Sequence, residues 1–114
     1  MSLQTVLQAA LSSLAAGGAH QDIALQGTVA PYIVWSEVVS TTNNSLQGAS
    51  NTQNTRIQID CYAATQTARK TLADAVVAAM AALSLGNVQI SSQNVYESDV
   101  KLFRSILDFS VWST

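Results

Sequence analysis

Between Arg56 and Ala63 the chain reads Arg-Ile-Gln-Ile-Asp-Cys-Tyr-Ala, apolar at every second position. A β-strand sends successive side chains to opposite faces, so Ile57, Ile59, Cys61 and Ala63 share one face and Arg56, Gln58, Asp60 and Tyr62 the other. The closing stretch LFRSILDFSVW repeats the pattern, with Phe103, Leu107, Phe109 and Val111 on one side. Its other side carries Arg104, Ile106, Asp108, Ser110 and Trp112. Two strands with one apolar and one mixed face require a sheet that is covered on one side only. That requirement excludes a fully buried parallel sheet and an all-helical bundle.

The cover is supplied by two helices. Leu3, Val6, Leu7, Ala10, Leu11 and Leu14 recur at the spacing of one helix face, and Gly17-Gly18 can adopt the left-handed conformation that ends it. A second, Ala-rich helix is expected from a Thr65 or Thr67 cap to about Leu83, with Ala68, Leu72, Ala75, Val76, Ala79 and Leu83 facing inward. The β-branched and aromatic run Tyr32 to Val39 is a strand led by Pro31, and another strand starts at Val88 and runs towards Tyr96. His20 to Ala30 reads as a connector. The order is αββαββ, an α+β domain over residues 1–114: a four-stranded antiparallel sheet with both helices on one face. It is what a ferredoxin-like unit becomes when its first strand moves to the end of the chain, with strand order 3-4-2-1.

A long loop interrupts the first two strands. Ser40 to Thr55, STTNNSLQGASNTQNT, holds no charge and one large apolar side chain, Leu46. Loops of this length are uncommon in compact domains and are usually functional or disordered. Asn43, Asn44, Leu46, Gln47, Asn51 and Gln53 are therefore candidate docking residues, and an inert hairpin tip is the competing reading.

Composition narrows the function. Charged residues make up 11% of the chain, against about 25% in typical soluble domains. Weak mutual repulsion favours association. A formal charge of −2 gives no global attraction to nucleic acid or anionic membranes. No stretch reaches the roughly 18 apolar residues of a membrane span. The N-terminal segment lacks a basic start, which argues for a chain that stays in the cytoplasm where it is made.

Chemistry is sparse. The one cysteine, Cys61, sits on the apolar face of its strand, where a small buried hydrophobe is the simplest reading. The one histidine, His20, lies in a Gly-rich connector with no nearby Cys, His or paired carboxylate. Asp60 and Asp108 are the best acid–base pair, but Arg56 and Arg104 precede them on the same face, so ion pairing is the simpler account. No catalytic constellation, cofactor motif or metal site emerges. The mixed face, with Arg56, Asp60, Tyr62, Arg104, Ile106, Asp108 and Trp112, together with Trp35, is a candidate subunit or partner interface. Simple partial exposure explains the same pattern.

PYIVWSEVVS, the polar insert, RIQIDCYAATQTARKTLADAVVAAM and FRSILDFSVW together resemble the tail completion family of long-tailed bacteriophages, also called tail terminator or tail-to-head joining proteins. The resemblance spans nearly the whole chain and rests on packing patterns rather than a chemical signature. It implies a structural, non-enzymatic virion protein at the head-proximal end of the tail. A hexameric ring of identical subunits would stop tube polymerisation and dock the head connector, with the tube protein as a further partner and DNA passing through the lumen. It brings no catalytic or binding residue with it. The alternative from another class is a ferredoxin-like module that binds a small molecule as a dimer.

Overall fold

The computed structural model describes residues 3–22, 29–45, 48–83, 86–99 and 101–113. Two helices, α1 (Leu3–Leu11) and α2 (Gln66–Ala81), accompany strands β1 (Ala19–Gln21), β2 (Tyr32–Ser45), β3 (Gly48–Ala63), β4 (Asn87–Glu97) and β5 (Leu102–Ser113). The strands form one sheet in the order β1-β2-β3-β5-β4. Its four long strands are antiparallel neighbours in the expected order. The four-stranded expectation is corrected by β1, which adds a fifth strand parallel to β2, with Ala19 opposite Ile33 and Gln21 opposite Trp35.

Part of the expected connector is therefore a strand, and Gly17 is the reason. A Cβ at Gly17 would overlap the Val29 carbonyl oxygen and lie 2.8 Å from that of Pro31. Only glycine lets the two backbones meet there, with Gly17 N–H donating to Pro31 O at 2.7 Å and Ile33 N–H to Gly18 O at 2.9 Å. Gly18 has φ +81°, the left-handed conformation that turns the chain from α1 into β1. The helix itself ends at Leu11, earlier than its apolar spacing suggested, and Leu14 follows in a turn.

α2 starts at Thr65, whose Oγ1 accepts from Ala68 N–H at 3.1 Å, and presents Leu72, Val76 and Met80 to the core. Met80, absent from the expected inward set, is fully buried. At the other end Asn87 Nδ2 donates to Met80 O at 2.9 Å, a second donor for that carbonyl beside Leu83 N–H at 3.2 Å. The core joins these residues to Leu7 and Leu11 of α1, Ile33 and Trp35 of β2, Ile57, Ile59 and Cys61 of β3, and Leu107, Phe109 and Val111 of β5. Both helices thus cover one face.

The largest departure from the sequence reading is the polar insert. It is paired strand rather than loop: Ser40 faces Thr55, Thr41 faces Asn54, Thr42 faces Gln53 and Asn44 faces Ala49. Asn43, Asn44, Asn51 and Gln53 lie within β2 and β3; Leu46 and Gln47 fall outside the described residues. Because β5 ends opposite Gln53, residues 43–45 and 48–52 form a two-stranded arm beyond the sheet, about 10–15 Å long at strand rise. The molecule measures 52 × 24 × 24 Å with a radius of gyration of 14.9 Å, where a compact chain of this length has about 13 Å.

Candidate functional site

The sheet face opposite the helices is built by alternation. Tyr32, Val34 and Ser36 of β2, Arg56, Gln58, Asp60 and Tyr62 of β3, and Arg104, Ile106, Asp108 and Trp112 of β5 point to it in adjacent registers. Among the described residues no helix or strand packs over this face. Its acids and arginines pair with one another, while the buried Nε of Arg104 is left without a hydrogen-bond partner.

Arg104 is the centre. Its Nη2 donates to Asp60 Oδ2 at 2.7 Å and its Nη1 to Glu97 Oε1 at 3.0 Å, and its guanidinium lies 5.5 Å from the Tyr62 ring centroid. Tyr62 stacks on Tyr32 with centroids 4.8 Å apart. Burial works against the Arg104 charge, but the hydrogen bonds to Glu97 and Asp60 outweigh it and raise its pKa above the ordinary arginine value. Gln58 Nε2 also donates to Asp60, whose residue is 7% exposed although no described helix or strand covers it. Burial likewise raises the Tyr32 and Tyr62 phenols.

The second cluster is looser. Arg56 meets Asp108 at 3.4 Å with nearly half the arginine side chain in solvent, an arrangement worth about 0–1 kcal/mol. Ser91 Oγ donates to Asp108 at 2.8 Å. The pairing therefore crosses between strands, Arg56 to Asp108 and Arg104 to Asp60, rather than running along each strand. Each carboxylate is held by its own arginine, which removes the shared-proton geometry an acid–base dyad needs. Both arginines on this face are engaged by acids, so neither is presented as a bare phosphate contact.

Trp35 requires a correction. It belongs to the helix-covered face, is 1% exposed, and donates its indole N–H to Gln8 Oε1 at 3.1 Å. Opposite Ile59 in register, it follows the buried alternation of Ile33. Trp112 does reach solvent, at 38% exposure. Sequence reading missed Glu97 and Tyr32 as members of the Arg104 cluster. The signal for Tyr32 was its place in the alternation opposite Tyr62; Glu97 ends β4, and no local pattern shows that it reaches across to Arg104.

His20 stands opposite Val34 at the β1 edge of the sheet, its Nε2–H donating to Gly17 O at 2.9 Å. No cluster of three His, Cys, Asp or Glu side chains suited to a metal exists among the described residues, and no helix described is long and apolar enough to cross a membrane. Cys61 is fully buried, and its thiol is pushed up to about 12 by burial, with the Asp60 charge adding to the effect. The raised value stabilises the fold below pH 9. Above it the unfolded thiol ionises while the folded one keeps its proton, so stability falls from about pH 9 towards 12, by at most about 1.4 kcal/mol per pH unit for this one group. Urea midpoints measured at pH 8 and 10.5 are expected to drop, and Cys61→Ala to flatten the decline. An equal decline in Cys61→Ala would remove the thiol as its source.

The described residues thus make a two-layer α+β fold with one sheet face left uncovered and a strand arm projecting beyond the sheet. The fold recurs in a chain of a solved structure described as the virion of a native gene transfer agent (GTA) particle. The TM-score is 0.66 at 19% identity, over 94% of this chain and 83% of that one. The family model of tail completion protein gp17 matches residues 3–114, and the chain belongs to that family. It is accordingly a structural virion protein of the tail. No curated protein matches it.

Proposed function

We propose that the protein closes the head-proximal end of a tail tube as a ring, six copies being the expected number, which stops tube growth and offers a surface to the head connector. The observation that carries this reading is the projecting neutral arm on a subunit of the tail completion family. A ring needs two different surfaces on each subunit, repeated around a closing rotation, and an arm that reaches past its own sheet supplies contact in a further direction. The scarcity of charge lowers the cost of bringing identical copies together.

The open sheet face and the arm are the proposed contact elements for neighbours, tube and connector. DNA in transit meets no built phosphate site on the open face, because Arg56 and Arg104 are paired there. A dimeric metabolite-binding module finds less support. The groove between α2 and β4, 580 Å³ in volume, lies open along its length, whereas small-molecule sites enclose most of their ligand.

Purified protein added to growing tail tubes is expected to halt elongation and appear in negative stain as a cap on one end of each tube. Tubes that lengthen at an unchanged rate, with both ends bare, would overturn the proposal.

A further inference from the structure

The two edges of the sheet are complementary in charge and in backbone hydrogen bonding. No lysine or arginine occurs before Arg56, and the acids of that half are Asp22 and Glu37. Both are exposed at the β1/β2 edge. Glu37 stands opposite Ile57, hence on the helix side of the sheet, where Gln4 Nε2 donates to its Oε1 at 2.6 Å and leaves Oε2 for another donor. β1 covers β2 only at Ile33 to Trp35. From Ser36 outward no described strand pairs with that edge, and Val38 there is 51% exposed.

The opposite edge has the converse character. β4 pairs with β5 alone among the described residues, and its Val88, Ile90 and Tyr96 are about half exposed. α2 lies over β3 and β5, so the helix side of β4 is left as a groove floored by Gln89, Ser92 and Asn94 and walled by Arg69 and Lys70. Lys70 is engaged by Asp74 at 3.1 Å. The buried Nε of Arg69 has no hydrogen-bond partner. A cation on the helix side of one edge thus matches an acid on the helix side of the other.

We infer that the β2 edge of one copy adds to the β4 edge of the next, placing Glu37 of the first copy against Arg69 of the second. Copies in the same orientation bring these strands together antiparallel, since β2 and β5 run one way and β3 and β4 the other. The backbone edges then satisfy one another as in other strand additions, and the carboxylate meets a guanidinium with spare donors. The contact is heterologous, so it propagates into a ring when the rotation closes. It rests on the ring reading and specifies which surfaces make it.

Glu37→Arg and Arg69→Glu, each checked for folding by circular dichroism, test the contact by native mass spectrometry and light scattering. Each variant alone should associate about tenfold more weakly or worse, because like charges then face each other. The double variant Glu37→Arg/Arg69→Glu should assemble as the parent does. A mixture of the two single variants in equal amounts should also assemble, with the two kinds of subunit alternating. Assembly of the parent chain and of both single variants alike would overturn this contact and leave the ring standing. Folded single variants that neither the double substitution nor mixing rescues would overturn it as well. A parent chain that stays monomeric, free and on tail tubes, would overturn the ring and this contact with it.

Discussion

A chain in which residues 43–52 are replaced by a two-residue turn should fold with nearly unchanged stability and give no joined particles. The structural half of this expectation follows from register. Thr42 pairs with Gln53, and Gln53 with Ser113 of β5, so the cut falls where the sheet ends. A cut one or two residues deeper would remove Gln53 and Asn54 and strip partners from Ser113 and Trp112. Beyond the cut the two strands pair, among the described residues, with each other alone, and an isolated two-stranded ribbon is marginal in water. Its removal therefore shifts the urea midpoint little.

The functional half follows from the arm's composition. Asn, Gln, Ser, Thr and Gly leave it neutral and richly supplied with amide and hydroxyl groups. Such a surface gains nothing by projecting into water, but it can exchange its water for a partner's backbone and side-chain hydrogen bonds. Complementation of a phage that lacks the protein, with shortened and full-length chains expressed at equal levels, measures the effect as infectious yield. A yield within a few-fold of the full-length chain would sink the arm's role and leave the fold untouched.

The arm is also where reading the sequence fell short. A strand is legible when one of its faces is buried, because burial imposes the alternation. Arg56 to Ala63 and Phe103 to Trp112 meet that condition and stand where the pattern placed them. Residues 43–45 and 48–52 run past the end of β5, their sequence shows no apolar alternation, and the segment reads as loop although Asn44 pairs with Ala49 and Ser45 with Gly48. β1 escaped for a different reason: three residues carry too short a pattern, and its pairing depends on the close approach at Gly17, a contact distant in sequence. The open face was legible as a set, but which acid meets which arginine depended on strand register, which the sequence does not display.

Trp35 shows the limit of residue type as a guide, and Trp35→Ala should be the most destabilising of the substitutions proposed. A tryptophan on a strand suggests an interface anchor as readily as a packing residue. The register decides otherwise, since Trp35 stands beside Ile59 on the face that α1 closes. Its indole N–H donates to Gln8 Oε1, and Gln8 Nε2 donates onward to Ala19 O at 2.8 Å, so one side chain links β2, α1 and β1. Alanine would leave a cavity of tryptophan size and remove the hydrogen bond to Gln8. The expected loss is about 3–5 kcal/mol, a large part of the ~5–15 kcal/mol that holds a typical domain together. Trp35→Phe keeps most of the volume and loses the donor, so about 1 kcal/mol is expected beyond its smaller packing change. Urea unfolding followed by far-ultraviolet circular dichroism at low protein concentration reads the monomer and avoids any contribution from assembly. A Trp35→Ala chain as stable as the parent, but unable to associate, would return Trp35 to the surface and require α1 to move away from the sheet.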